Sequence, residues 1–270
     1  MNEVPAPSLR LRNLLVGTFN VTVAMFLATL FALLLFGVAL FTLFKARRFY
    51  AEVCVRNFSR LLLWLGRTPY RVHGAPAPGP LFYMPNHPST QDVFVLTALG
   101  LPNTRFFMSR QALLKFLPLS LIAALMGVFF TPEQKDTPAR VRCFTRAFAR
   151  LEGSGQSILG TPEGRIVPGP EVGRFNRGVF HLATLLQYPI QPLYLAFPPG
   201  RSAGRGYAPS SPEVEVFFLP PIATRGWRVE DLDTNKERVR QVFLAFGQRI
   251  AAVGAGPAWA EVVTAAGGEA

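Results

Sequence analysis

An uncharged, apolar stretch near the N-terminus constrains the fold of this chain more than any other feature. Residues 13–44 contain no Lys, Arg, Asp or Glu and are rich in Leu, Phe, Val and Ala. The stretch is longer than the ~20 residues that one helical crossing of a bilayer requires. It therefore predicts a membrane anchor within residues 1–48, formed either by one long, tilted helix or by a helical hairpin in one leaflet. Candidate positions for a hairpin break are Gly37 and the polar group Thr18, Asn20 and Thr22.

The flanks of this stretch indicate how it is used. A cleaved secretory signal is disfavoured, because its apolar core would have only ~7–15 residues and no small-residue cleavage site precedes Lys45. Basic residues are also denser after the stretch than before it, where only Arg10 and Arg12 occur. Since cytoplasmic flanks carry the excess of Lys and Arg, the rest of the chain is expected on the cytoplasmic face of the membrane.

Charge and cysteine content narrow the possible partners. The net charge is +12, which suits anionic lipid surfaces, nucleic acid or phosphorylated small molecules. The arginines are dispersed and form no recognisable nucleic-acid-reading module, so no nucleic-acid partner is expected. The two cysteines, Cys54 and Cys143, lack CxxC or Cys/His spacing, which predicts reduced thiols and no metal site.

Beyond the anchor, the pattern changes to that of a folded domain. Residues 49–66 have the spacing of an amphipathic helix that either rests on lipid head groups or packs as an ordinary core helix. A Pro- and Gly-rich segment, with His73 in a loop, completes a linker over residues 49–80. Residues 81–253 form the predicted main domain, and residues 254–270 a flexible tail.

Short strand-like runs alternate with helical patterns in the main domain. The pair Thr137 and Pro138 is interpreted as the cap and first turn of one helix, and helical spacing returns from Val239 to Val253. Strands and helices that alternate in this way predict an α/β layered domain. The strand-like runs are residues 81–84, 105–108, 128–130, 157–159, 190–196 and 214–219.

The polar segment after the first strand-like run is the first candidate for chemistry. Neither a helix nor a strand would bring His87 and Asp92, five positions apart, onto one face. A turn would, because Pro88 favours an extended His87 and a helix capped by Ser89 or Thr90 would place Asp92 in its first turn. The carboxylate could then hold one ring nitrogen, leaving the other to act as a general base. A capping box beginning at Ser89, beside a structural histidine, is the alternative interpretation.

A second polar segment occupies residues 159–178. Its glycines permit close approach of the backbone, and its arginines could grip a phosphate at the N-terminus of the helix that follows. Glu163 could orient a substrate there. A strand-to-helix loop with solvated arginines is the alternative, and His181 within the apolar helix is expected in the core. The arginines concerned are Arg165, Arg174 and Arg177.

Taken together and in this order, these segments resemble the glycerolipid acyltransferase family, which includes the lysophosphatidic acid acyltransferases. The first segment matches an Asn-His-x-x-x-x-Asp motif, and residues 162–164 match Pro-Glu-Gly. Residues 105–113 with 127–130 resemble the family's second block, and residues 188–192 resemble its fourth. The resemblance extends over about residues 80–200 and is carried by the ordered combination rather than by one motif.

This resemblance implies a fold, a reaction and a set of residues. The fold is a mixed, mostly parallel sheet flanked by helices. The reaction is acyl transfer at the membrane, in which His87, oriented by Asp92, deprotonates an acceptor hydroxyl that attacks acyl-CoA or an acyl-carrier-protein thioester. No covalent acyl-enzyme, metal or other cofactor is implied. The implied substrate-binding residues are Asn86, Arg110, Glu163, Gly164, Arg165 and Arg177.

Two positions depart from the family pattern. The family usually reads Glu-Gly-Thr-Arg, whereas Gly164 is followed here by Arg165 and Ile166, and the basic residue that commonly ends the second block is replaced by Thr131 and Pro132. Acylation of lysophosphatidic acid, giving phosphatidic acid, is the leading expectation. A lyso-ornithine lipid or another lysolipid is the alternative acceptor. A non-catalytic lipid-binding scaffold protein is the alternative from a different class.

Overall fold

A computed structural model describes residues 7–111, 117–167, 171–196 and 213–253, with the side chains of residues 7–17 and 20 left aside. The apolar N-terminal stretch forms one continuous helix, α1 (Pro7–Phe41). The helix has no hairpin break. The hydroxyls of Thr22 and Thr29 donate hydrogen bonds to backbone carbonyls one turn earlier, so these polar groups find partners within the helix. The segment Val21–Phe41 is long and apolar enough to cross a membrane, by length and composition.

One face of α1 packs against the rest of the protein. Its buried residues recur at helical spacing and contact the apolar helix α5 (Leu117–Met126). Among the residues of α1 whose side chains are described, most of the remaining surface is exposed and apolar, including Phe26, Leu33 and Leu34. The helix α1 is therefore seated along the domain by one stripe and leaves a wide apolar face exposed. The buried stripe is Ala28, Ala32, Leu35 and Ala39.

A second helical region follows α1. It consists of α2 (Arg47–Phe49), a π-helical segment (Tyr50–Val55) and α3 (Arg56–Leu65). One face of α3 is buried in the core through Phe58, Leu62 and Leu63, while Trp64 is 74% exposed. The interpretation as a packed helix is therefore confirmed for one side of α3, and contact of the other side with lipid head groups stays a prediction.

The described residues form a seven-stranded sheet. Its order is β1-β7-β6-β2-β5-β3-β4, and only the β6–β7 pair is antiparallel. This confirms the mixed, mostly parallel sheet flanked by helices. The strands are β1 (Tyr70–His73), β2 (Phe82–Pro85), β3 (Thr104–Ser109), β4 (Phe129–Thr131), β5 (Ser157–Leu159), β6 (Ile190–Ala196) and β7 (Val214–Phe218).

Helices cover both faces of the sheet. On one face, α1, α3, α5 and the short helix α4 (Asp92–Ala98) share a buried apolar cluster. On the other, α6 (Thr137–Leu151), α7 (Arg177–Leu186) and α8 (Leu232–Val253) share a second cluster rich in phenylalanine. The sheet therefore lies between two layers of helices, as expected for strands that are buried on both faces.

Three expectations about local structure are wrong. His73 is not in a loop but ends β1, an edge strand too short and too polar to stand out in the sequence, which pairs in parallel with β7. Its ring Nε2 donates to the carboxylate of Glu215 at 2.6 Å. The N-cap of α6 is Asp136 rather than Thr137, because the Asp136 side chain accepts from the backbone N–H of Ala139.

The third wrong expectation concerns His181. It is exposed on α7 instead of being buried in the core, because its position on the helix faces away from the sheet. The two cysteines are free thiols, as expected. The predicted flexible tail, residues 254–270, lies outside the described residues.

Candidate active site

The first polar segment brings His87 and Asp92 together. His87 lies just beyond the carboxyl end of β2, and its Nδ1 is 3.1 Å from Oδ2 of Asp92. The carboxylate is fully buried in the first turn of α4, whereas the His87 side chain is 25% exposed. A buried carboxylate that binds Nδ1 fixes the orientation of the ring and leaves Nε2 for proton transfer.

The same carboxylate oxygen also organises the turn. The backbone N–H of Ser89 donates to Asp92 Oδ2 at 2.9 Å, and the N–H of Gln91 donates to the Ser89 hydroxyl. The N-cap residue of α4 is Gln91, whose side chain makes no capping hydrogen bond. The expectation that Ser89 or Thr90 caps this helix is therefore wrong. The bond from the Ser89 N–H to Asp92 is one half of a capping box. It uses the same oxygen, Oδ2, that contacts His87. The structural and the catalytic interpretations of Asp92 are therefore compatible.

Burial dominates the electrostatics of Asp92. Desolvation raises the pKa of Asp92, and the hydrogen bond from His87, the charge interaction with His87 and the Ser89 N–H act in the opposite direction. Its other oxygen, Oδ1, is buried without a hydrogen-bond partner within the described part of the chain. The carboxylate thus depends on His87 and Ser89 for compensation of its buried charge.

Asn86 has a different role from the predicted substrate contact. Its side chain is 3% exposed and pairs with the backbone of Leu195 in both directions, accepting at 2.7 Å and donating at 3.1 Å. A side-chain amide can replace the two bonds of a strand ladder in this way. Asn86 therefore ties the end of β2 to β6 at the point where the chain turns away toward His87.

Glu163 also faces the protein rather than a substrate. It is 2% exposed, and its two oxygens accept from the backbone N–H groups of His87, at 2.8 Å, and Gly173, at 2.6 Å. Burial raises the pKa of Glu163, opposed by these two hydrogen bonds. Each oxygen accepts one of these bonds, so Glu163 fixes the backbone that carries His87; its contact with a head group stays a prediction.

The second polar segment holds His87 at a further point. The N–H of Val167 donates to the His87 carbonyl at 2.9 Å, so both backbone groups of His87 are bound by this segment. The carbonyl of Glu163 in turn accepts from the side-chain amide of Asn176 at 2.7 Å. The roles of Gly173 and Val167 were missed from the sequence, because they act through backbone groups that any residue provides.

The remaining predicted residues lie around this network. Gly164 has φ +62°, and an added Cβ would lie 2.7 Å from Asn176 Nδ2, so this turn requires glycine. Arg110 and Arg165 are exposed. Arg177 pairs with Asp233 at 3.6 Å on the surface, an interaction of little energetic weight. These arginines remain predicted head-group ligands; part of the second block, residues 112–116, lies outside the described residues.

An apolar groove of about 640 Å³ lies between α6 and α7. Phe144, Phe148 and Leu185 line it, and it extends to Asn176, which binds the Glu163 loop. Neither His87 nor Asp92 lines this groove. Among the described residues, no three His, Cys, Asp or Glu side chains are grouped to hold a metal ion.

Residues 69–196 match the family model named Acyltransferase, and this range contains the whole His87 network described above. This part of the chain is therefore similar to the acyltransferase family. The chain is homologous to proteins named 1-acyl-sn-glycerol-3-phosphate acyltransferase alpha: it is 26% identical over 184 residues to those of Bos taurus and Homo sapiens, which covers 68% of this chain. It spans 63% and 64% of the length of these two relatives.

A solved structure shares the fold. The crystal structure of the 1-acyl-sn-glycerophosphate acyltransferase PlsC from Thermotoga maritima superposes with a TM-score of 0.69 at 19% sequence identity. The match covers 92% of this chain and 99% of that chain. At this identity the match establishes the architecture alone.

Proposed function

We propose that this chain transfers a fatty acyl group from a thioester carrier to the free hydroxyl of 1-acylglycerol-3-phosphate, giving phosphatidic acid. The observation that carries this proposal is the 3.1 Å contact between His87 Nδ1 and the buried carboxylate of Asp92. The names of the relatives support the substrate class. The donor is acyl-CoA or an acyl carrier protein, and the reaction requires no metal or other cofactor.

The chemistry needs one base and accurate positioning, because a thioester is already an activated acyl group. Asp92 accepts the Nδ1 proton of His87, so Nε2 takes the proton of the acceptor hydroxyl as its oxygen attacks the thioester carbonyl carbon. The carbon–sulfur bond then breaks, and the imidazolium returns the proton to the departing thiolate. The free thiol leaves, and the new ester remains on the lipid.

The proposal is tested with the full chain purified in detergent. Labelled acyl-CoA and labelled acyl carrier protein are each offered with 1-acylglycerol-3-phosphate, and the lipid product is identified by mass. Phosphatidic acid formation that depends on added acceptor is the expected result. Hydrolysis of the thioester without transfer, or no reaction with either donor, would contradict the proposal and favour the lipid-binding scaffold.

A lyso-ornithine lipid is the second candidate acceptor, and one observation favours it. Ile166 occupies the position where the family usually has Arg, and Arg165 beside it is exposed. A phosphomonoester acceptor would lose one charge-assisted contact by this change. The same assay with lyso-ornithine lipid in place of 1-acylglycerol-3-phosphate compares the two, and the acceptor with the larger kcat/KM is the substrate.

The position at the membrane is part of the proposal. The apolar helix α1 supports membrane association, and the excess of basic residues after it supports the cytoplasmic face. Trypsin added to sealed, right-side-out vesicles should leave residues 69–253 intact, and should cleave them once the vesicles are opened. Cleavage in the sealed vesicles would place the domain on the opposite face.

A further inference from the structure

The last described helix, α8, contacts the loop that holds His87. This helix lies beyond residues 69–196, which match the family model. Its Arg240 guanidinium donates to two backbone carbonyls: from Nε to that of Gly173 at 3.0 Å, and from Nη2 to that of Val172 at 3.4 Å. These carbonyls belong to the peptide groups on either side of the Gly173 Cα, so one side chain fixes both.

The peptide group between Val172 and Gly173 connects this contact to Glu163. Its carbonyl accepts from Arg240, and its N–H donates to Glu163 Oε1 at 2.6 Å. Because the peptide group is planar, a contact that sets the direction of the carbonyl also sets the direction of the N–H. The other oxygen of Glu163 accepts from the N–H of His87 at 2.8 Å. Arg240 is therefore joined to the backbone of His87 through one peptide group and one carboxylate.

Close packing joins Gly173 to the backbone of His87 by a second route. An added Cβ at Gly173 would lie 2.8 Å from Cγ2 of Val167 and 3.2 Å from Oε1 of Glu163. Val167 in turn donates its N–H to the His87 carbonyl at 2.9 Å. Both residues that bind the backbone of His87 thus lie against Gly173. Since a packed interior transmits strain, a displacement of this glycine would move one or both of them.

Arg240 is held in a defined position by its own helix. Its neighbours Val239 and Phe243 are fully buried, which fixes this part of α8 in the core. The Arg240 side chain itself is 27% exposed, and its Nη1 donates to Glu237 at 3.1 Å, one turn earlier on the helix. Each of the three guanidinium nitrogens therefore has a protein partner, and the side chain links a rigid helix to the Gly173 loop.

We propose that Arg240 is a positioning residue for His87, which acts through Gly173 and Glu163 and does not touch the substrate. This role rests on the proposed function, because it takes His87 as the base. A misplacement of about 1 Å can lower the rate of a catalysed reaction by ~10². Without Arg240, the Gly173 loop loses both guanidinium contacts and Glu163 loses a firmly placed partner. The imidazole is then less precisely placed for proton transfer from the acceptor hydroxyl.

The variant Arg240→Met tests this role, because Met is also a long, unbranched side chain but donates no hydrogen bond. Arg249→Met is the matched control: Arg249 is exposed on the same helix, and its loss changes the net charge equally. In acyl transfer by the full chain in detergent, we expect Arg240→Met to lower kcat roughly fivefold to tenfold, with an unchanged KM for the acceptor. Arg240→Lys, which keeps a charged donor, should recover part of this loss, and Arg249→Met should show none.

A double-mutant cycle with Glu163→Gln tests the route of the effect. Gln can accept from only one of the two N–H groups, so the link between Gly173 and His87 is broken in either orientation of the amide. In this background, Arg240→Met should lower kcat by less than about twofold. Equal factors in the two backgrounds would overturn the route through Glu163. Equal losses in Arg240→Met and Arg249→Met, or a change confined to KM, would overturn the positioning role.

Hydrogen exchange of the peptide that contains the His87 amide gives a readout that does not depend on activity. This N–H donates to Glu163, so its exchange reports opening of that bond. We expect exchange about tenfold faster in Arg240→Met, with the amides of β3 unchanged as a reference for global unfolding. Faster exchange in a chain that transfers no acyl group would contradict the proposed function but support the link from α8 to His87. Unchanged exchange would overturn that link, even in an active enzyme.

Discussion

The two polar segments that build the candidate active site contribute in different ways. The first, residues 86–92, presents the side chains of His87 and Asp92 to each other at 3.1 Å. The second, residues 162–176, acts mainly on the backbone of the first, through the carboxylate of Glu163 and the N–H of Val167. The first segment therefore pairs two side chains, whereas the second holds the backbone that carries one of them.

Removal of the proposed base, His87, should have the largest effect on activity, and it changes only the first segment. His87→Ala should lower kcat by about 10²–10⁴, because general-base catalysis contributes a factor of that order. The measurement is acyl transfer to 1-acylglycerol-3-phosphate under saturating donor. The unfolding temperature should change little, since the side chain is partly exposed. Full activity in a folded His87→Ala protein would exclude this histidine as the base.

Asp92→Asn tests the support of the base. The amide oxygen can still accept one hydrogen bond, but it no longer carries the charge that stabilises an imidazolium, so kcat should fall by roughly 10². The buried site also loses a charge whose desolvation is unfavourable, so stability at neutral pH should be preserved or improved. A kcat within twofold of the unmodified enzyme would show that Asp92 serves the turn, through Ser89, and not the histidine.

Glu163→Gln sharpens the contrast between the two segments. An amide nitrogen cannot accept, so one of the N–H groups of His87 or Gly173 would lose its partner, at about 1–3 kcal/mol of stability. We expect kcat to fall about tenfold as the His87 backbone loosens, with an unchanged KM for the acceptor. Isothermal unfolding and a full kinetic series check the two effects. If KM for the acceptor rises and kcat is unchanged, Glu163 binds the head group, as the resemblance to the family implies.

The same contrast explains what the sequence could and could not predict. The His87–Asp92 contact was predictable because Pro88 and the start of α4 lie between the two residues and close a local turn. The contacts of Asn86 with Leu195, and of Glu163 with His87, join residues that are far apart in the chain, and a buried acceptor looks like a substrate-binding one in sequence. For the same reason the edge strand β1 was missed: its identity depends on pairing with β7, not on its own residues.

The smallest predicted effect uses pH to separate Glu163 from the rest of the site. Burial raises the pKa of Glu163 in the folded protein, so the folded state binds its proton more tightly than the unfolded state does. The contribution of Glu163 to the free energy of unfolding is therefore most favourable below its unfolded pKa. This contribution declines as pH rises through the unfolded and then the folded pKa.

The variant Glu163→Gln isolates this contribution, because Gln does not titrate and the pKa of Asp92 is raised by burial in both proteins. The free energy of unfolding of the unmodified chain, minus that of Glu163→Gln, should fall as pH rises from about 4 toward neutrality and then level off. Denaturant unfolding at a series of pH values measures this difference. A difference that rises with pH would mean that the two backbone N–H groups outweigh burial and lower the pKa, so that Glu163 holds His87 more strongly as a carboxylate than its burial indicates.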